Sequence, residues 1–229
     1  VMRVGIHQLH YLPWLRYFEK IARADVFVVL DDVQFNKNGW QNRNKIKTAA
    51  GAVVLTVPVH VRLGQGLDEV AVDNSKKWSK KHWRTIEQSY RKAPYFRDYA
   101  EALASIYDAE WDSLNALNRR MLELFLQMLG IATVIRYSSD LAVPGTGTER
   151  LVNLVHSVDG TEYYSGAHAL KEYLDPEQFE KACIGLSLQN WEAPFYPQLH
   201  GPFVPDLAII DLLMNCGPRA LSVLTGDPG

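Results

Sequence analysis

Two apolar runs of strand length open this chain, Met2–Ile6 and Val26–Leu30, with a helix-like stretch between them. In that stretch Trp14, Leu15, Phe18, Ile21 and Ala22 recur at helical spacing. A strand, a helix and a second strand in so short a segment read as a βαβ unit, and the crossover makes the two strands parallel. The expected class is therefore α/β, a mainly parallel sheet with flanking helices.

The rest of the chain extends this reading. Ala52–Val59 reads as a third strand, with Pro58 marking an edge or a bend. Gly64-Gln65-Gly66 is a turn, and Leu67–Asp73 alternates as a short strand. A helical insertion is expected near residues 75–130: an amphipathic basic helix over Trp78–Lys92, another over Tyr95–Ile106, and a long one over Trp111–Leu129. On the long helix Trp111, Leu114, Leu117, Met121, Leu124, Phe125 and Met128 form one apolar stripe, and Gly130 supplies the stop. Ile131–Arg136 returns to strand, and Thr148 is placed to cap a helix running to Val158. Thr161–Tyr164 and Ile184–Leu188 are strands joined by short helices, and Leu207–Met214 is a final helix. No repeat, linker or low-complexity run divides the chain, so residues 1–229 read as a single domain.

Composition removes several classes. The formal net charge is −2, so no whole-molecule field draws the chain to DNA or to a membrane. No apolar run is long enough for a transmembrane helix, and the start lacks the pattern of a signal peptide. Cys183 and Cys216 lie far apart in apolar sequence and match no metal spacing; they read as small core residues of a cytoplasmic, disulfide-free protein.

Both opening strands end in groups that transfer protons or bind anions, and ligands of open α/β sheets bind outside the carboxyl ends of the strands. His7 follows the first strand, where a neutral imidazole accepts a proton near neutral pH. The plainer alternative is a hydrogen-bonded structural histidine. Gln8 and Tyr11 flank His7 as substrate contacts. His10 makes a His-x-x-His pair with His7, which needs a third ligand such as Asp31 or Asp32 before it holds a metal; no metal and no cofactor are assigned. Asp31 and Asp32 close the second strand, and alternation turns only one of them toward the crevice. That carboxylate orients His7, binds a substrate amine or holds a cation; otherwise both are turn or cap aspartates.

Residues 36–45 form a loop dense in amides and cations. Arg43 and Lys45 suit a phosphate or carboxylate, while Gln41 and Asn42 suit hydroxyls or a nucleobase. Trp40 and its apolar neighbours pack the loop down. Lys76–Arg84 mixes cations with two tryptophans, which fits RNA or a pyrophosphate, or simply a solvated helix face. Lys81 and His82 are its candidate site residues. Tyr164, Ser165 and Gly166 end another strand, with Gly166 letting backbone N–H groups approach an anion. Ser165 lacks a nucleophile elbow, and Thr146–Arg150 is not a phosphate-binding Walker loop.

Taken together these blocks resemble the WbqC-like family of bacterial proteins. The resemblance is carried by His7-Gln8 through Tyr11-Leu12-Pro13-Trp14, Tyr17–Ile21, Asp25–Phe35 and Trp40–Lys47. It continues through Lys81-His82-Trp83, Lys92–Phe96, Tyr164-Ser165-Gly166, Tyr173-Leu174, Tyr196-Pro197-Gln198, Phe203-Val204-Pro205 and Asp211-Leu212-Leu213. Leu9 stands where the family usually has proline, and Ala208 where serine is expected. The resemblance implies a small-molecule transferase of surface-polysaccharide or specialised-metabolite biosynthesis, moving a glycyl or other acyl group to an amine. Its donor is expected on an acyl-carrier protein or as an aminoacyl-tRNA. In that scheme His7 is the base, Asp31 or Asp32 fixes it, and Arg43 or Gln41 meets the oxyanion; Gln198 joins the substrate contacts and His82 the catalytic set. A nucleotide-dependent ligase or nucleotidyltransferase is the second reading, from a first strand followed by histidines and a helix. A non-catalytic pathway protein is the third.

Overall fold

The computed structural model describes residues 1–166 and 174–227. In chain order the elements are β1 (Arg3–Gln8), α1 (Leu15–Ala22), β2 (Val26–Leu30), β3 (Arg43–Thr48), β4 (Gly51–Thr56), β5 (Val59–His60), β6 (Ala71–Val72), α2 (Trp78–Tyr90), α3 (Phe96–Asp108), α4 (Leu114–Leu129), β7 (Val134–Tyr137), α5 (Ser138–Leu141), α6 (Gly147–Ser157), β8 (Glu162–Gly166), α7 (Pro176–Lys181), β9 (Gly185–Gln189), α8 (Ile209–Cys216) and α9 (Ala220–Thr225). They gather into two compact units. The first comprises Val1–Gln8, Glu19–Asp32 and Ala132–Glu192; the second comprises Leu9–Phe18, Val33–Ile131 and Ala193–Gly229.

The first unit is built on a five-stranded sheet in the order β7-β2-β1-β8-β9, with every neighbouring pair parallel. The opening βαβ reading holds, with Val4 beside Val26 and Gln8 beside Leu30. Numbered by their order along the chain, the five strands run 3-2-1-4-5, the order of doubly wound nucleotide-binding sheets. One face of the sheet is apolar. Val4, Ile6, Val26, Val28 and Tyr163 pack there against Leu151, Leu154 and Val155 of α6 and Phe179 of α7. Each buried aliphatic or aromatic side chain of this kind contributes about 1.5–3 kcal/mol. The other face is polar along β1, β8 and β9. There Arg3 Nε donates to Glu162 Oε1 at 2.6 Å, and Ser187 Oγ donates to the same oxygen at 2.5 Å. The hydrogen bonds hold the Glu162 carboxyl below the usual carboxylate range, led by that from Ser187 and assisted by the Arg3 guanidinium.

The second unit holds α2, α3, α4, α8 and α9, with the β3–β4 hairpin and the small β5–β6 pair. Leu114, Leu117, Met121, Leu124 and Phe125 are buried along α4, as their spacing predicts. Ser113 caps α4 by accepting from Ala116 N at 3.2 Å, and Gly130 ends it at φ +70°.

Several expectations need correction. Residues 36–45 are not loop throughout, because Arg43–Thr48 is β3, paired antiparallel with β4. The third strand stops at Thr56, and only Leu67–Glu69 as a 3-10 turn and Ala71–Val72 as a strand occupy the Leu67–Asp73 segment. The long helix begins at Leu114, leaving Trp111 outside it. Thr146, not Thr148, is the N-cap of α6. Thr148 Oγ1 instead accepts from Asp175 N at 3.1 Å. Cys216 is buried, but Cys183 is exposed at φ +57° and is not a core residue. Tyr173 and part of the short-helix segment after Gly166 lie outside the described residues.

Candidate functional site

In the first unit β1 leads to β2 and β7 on one side, while β8 and β9 fill the other. The topological switch therefore lies between β1 and β8, and the crevice beyond their carboxyl ends is where such sheets hold ligands. Gly5 pairs with Tyr164, so His7 and Gly166 each lie two residues past that pair. His7 belongs to β1 itself and is half-buried; Gln8 is exposed at its end.

Helix α1 brings two charged groups to this end of the sheet that the sequence reading did not assign to the site. Lys20 is 5% exposed, and its Nζ donates to the Ile6 carbonyl at 3.4 Å. A Cβ placed on Gly166 would lie 3.8 Å from that Nζ, so the glycine leaves room beside the ammonium. Glu19 is 3% exposed. Its carboxylate accepts from Tyr164 Oη at 3.3 and 3.4 Å, from Gln189 Nε2, and pairs with Arg23 Nε at 3.5 Å. Burial, with the Glu19 charge beside it, pushes the Tyr164 phenol up to about 12. Tyr164 is thus a neutral donor locked on Glu19. Ser165 is fully buried, its Oγ 3.4 Å from the Gly166 carbonyl.

Asp31 and Asp32 follow β2 into a network of their own. Asp31 is fully buried; its carboxylate accepts from Ser139 N at 3.0 Å, Ser139 Oγ at 2.9 Å and Ser138 Oγ at 3.3 Å. It so satisfies an open backbone donor in the first turn of α5. Asp32 is half-buried and accepts from Arg150 Nη2 at 2.5 Å and Ser138 Oγ at 2.6 Å. Burial raises the Asp32 carboxyl, but the hydrogen bonds from Arg150 and Ser138 and the guanidinium charge outweigh it and leave it below its ordinary value.

The second unit holds the other candidates. Tyr11 Oη lies 2.8 Å from His82 Nδ1 and 2.8 Å from Tyr107 Oη, all three side chains buried. His82 also donates to the Thr56 carbonyl, which leaves Nδ1 as the acceptor from Tyr11. Burial pushes the imidazole down to about 4 and lifts both phenols far above their usual range. Three amides of this segment bond to the chain itself, while the buried Asn42 Oδ1 has no hydrogen-bond partner among the described residues. Gln41 Oε1 accepts from Asn36 N at 2.6 Å, Asn42 Nδ2 donates to the Val57 carbonyl at 2.9 Å, and Asn44 Nδ2 to the Leu12 carbonyl at 2.7 Å. Trp40 meets Trp14 edge-on at 5.0 Å. The Arg43 guanidinium sits 5.7 Å over the Trp40 ring and donates to the Asn38 carbonyl at 2.5 Å. Lys45 is half-buried and Lys81 exposed.

A buried ion-containing cluster completes this unit. Lys47, 1% exposed, donates to Gln198 Oε1 at 3.1 Å and to the carbonyls of Gly201 and Pro202. Asp211 accepts from Tyr90 Oη at 3.0 Å and Tyr196 Oη at 2.9 Å. Burial raises the Asp211 carboxyl in spite of these donors and the nearby Lys47 charge. Gln198 therefore anchors a buried lysine.

The candidates thus fall into two groups. His7, Gln8, Asp31, Asp32, Tyr164, Ser165 and Gly166 belong to the first unit; Tyr11, Trp40, Gln41, Asn42, Arg43, Lys45, Lys81, His82 and Gln198 belong to the second. Within the first, His7, Lys20 and Gly166 attach to the switch-point end of β1 and β8, while Asp31 and Asp32 are engaged by α5 and α6. Among the described residues no three His, Cys, Asp or Glu side chains are placed to hold a metal, and no helix is long and apolar enough to cross a membrane.

Residues 8–223 match the WbqC-like protein family. The chain is 40% identical over 222 residues to an uncharacterized protein of Mycobacterium tuberculosis, Rv1507c, with 95% of each chain covered. No solved structure matches it. With the match running from the last residue of β1 into α9, the chain belongs to the WbqC-like protein family.

Proposed function

We propose that this protein is a small-molecule transferase that forms an amide by moving an acyl group, of the glycyl type, onto an amine. What supports the reading is the placement of His7 at the carboxyl end of the central strand, at the switch point, in the same unit as the buried Lys20 ammonium and the bare backbone of Gly166. His7 takes the proton from the attacking amine as the new C–N bond forms. The bond from the acyl carbon to its carrier breaks, and the carrier's sulfur or oxygen leaves with that proton. Lys20 offers a positive charge in low dielectric, suited to a donor phosphate or a developing oxyanion. Asp32 enters only as a second carboxylate of the same unit, already bound to Arg150.

The test is turnover of a glycyl donor, presented as glycyl-tRNA and as a glycyl-carrier protein, with an amino sugar as acceptor. His7→Ala is expected to cost about 10²–10⁴ in kcat, the usual worth of general base catalysis, with a melting curve recorded alongside to show that the variant stays folded at the assay temperature. Full turnover in that variant would remove His7 from the mechanism.

A second reading, a nucleotide-dependent ligase or nucleotidyltransferase, is favoured by one observation, the 3-2-1-4-5 strand order. Strand order alone is an argument by fold analogy. Thermal melts with ATP or CTP and magnesium discriminate between the two.

A further inference from the structure

Residues 76–92 hold seven lysines and arginines against one carboxylate, Glu87, in a chain whose formal net charge is −2. Lys77 and Arg91 cap α2, and Lys80, Lys81 and Arg84 lie on it. Positions three, four, seven and fourteen residues apart share one side of a helix, so these five form a single stripe about 21 Å long. All five are exposed, as are Lys76 and Lys92 at its ends. Among the described residues none of the five has a carboxylate partner.

The tryptophans interleaved with these cations lie off the stripe, Trp78 buried and Trp83 half-buried against aromatic neighbours. Trp78 is 4% exposed, and the Trp83 ring lies parallel to Tyr107 at 6.1 Å and to Phe96 at 6.4 Å. The stripe therefore has no aromatic platform for stacking bases. It also lacks the apolar, aromatic centre of a protein–protein contact. What remains is a row of long, mobile positive charges, which is all that phosphate contacts need.

We infer that the exposed face of α2 is a docking surface for a nucleic-acid phosphate backbone, read by charge alone and without sequence preference. The inference stands on the second unit only and is independent of the transferase reading. Like-signed charges packed this closely repel one another, and a polyanion relieves that repulsion while releasing its own counterions.

The full chain is titrated by fluorescence anisotropy with unfractionated tRNA and with duplex DNA between 50 and 200 mM salt, about the range over which counterion release is steep. With five contacts, log affinity is expected to fall against log salt with a slope of about 4–5. The triple variant Lys80→Gln, Lys81→Gln, Arg84→Gln is expected to lower that slope by about 2–3 and to weaken binding at low salt more than tenfold, with an unchanged melting temperature. Binding of tRNA alone, or of both polymers, supports the surface and names its source. No binding at the lowest salt overturns it. So does a slope the variant leaves unchanged, or equally tight binding of polyglutamate lost in the same variant, which would make the partner an acidic protein.

Discussion

Burial among Tyr11, Tyr107 and Trp78 pushes the His82 imidazole down to about 4, outweighing the hydrogen bond to the Thr56 carbonyl, which acts the other way. An unfolded histidine takes its proton near 6.5. Between those two values the unfolded chain holds a proton that the folded chain refuses, so stability falls as pH falls through that window. The contribution is full above pH of about 6.5 and spent near pH of about 4, a loss of up to about 3 kcal/mol. Urea unfolding at stepped pH checks it: the stability gap between the wild type and His82→Asn should narrow on acidification, and a pH-independent gap would sink the assignment. Single residues were legible in proportion to how plainly their surroundings read. His7 stood out because an apolar strand ran straight into it. Glu19 and Lys20 did not, because charged residues in a short helix read as its solvent side. Yet α1 has almost no solvent side; every residue from Tyr17 to Ile21 is buried. Asp211 was hidden for the same reason, inside a helix whose eight residues are all buried.

At the scale of elements, α8 ends at Gly217 with φ +55° and ψ −129°, a conformation that side chains rarely adopt. A Cβ there would come within 2.3 Å of the Tyr95 ring. Gly217→Ala is therefore expected to destabilise by about 3 kcal/mol or more, the sum of backbone strain and overpacking. Chemical denaturation reads it directly; a loss below about 1 kcal/mol would mean that the Tyr95 ring moves aside freely. Helices α2, α3 and α4 were legible because apolar periodicity and stop signals agreed. Strand β3 was not. Its buried positions include Asn44 and Lys47, so no apolar alternation marks it. Its turn is Ala49-Ala50 rather than the Asn-Gly or Asp-Gly that announces a hairpin. Two amides of this segment help hold the polar hairpin: Asn44 on Leu12, Asn42 on Val57.

At the scale of the whole molecule, the parallel class followed from the first thirty residues or so, but the strand order did not. Nothing local in Glu162–Gly166 says that it lies beside β1 rather than beside β7; only long-range pairing decides that. The order carries a prediction. If the switch point holds a nucleotide, ATP or CTP with magnesium at a hundredfold excess over Kd should add about 2.7 kcal/mol to stability. That is a rise of roughly 5–10 °C in Tm for a chain of this size. A flat melt with both nucleotides removes the nucleotide-dependent reading and leaves the acyl transfer untouched.

Arg3 and Glu162 are register partners 159 residues apart. During synthesis β1 emerges before β2 and can meet it almost at once, yet its other edge stays open until β8 appears. At about 5–20 residues per second, that is a wait of roughly 8–30 seconds. The strand that carries His7 is thus made before both of its neighbours and is closed in on both sides only when the later of them arrives.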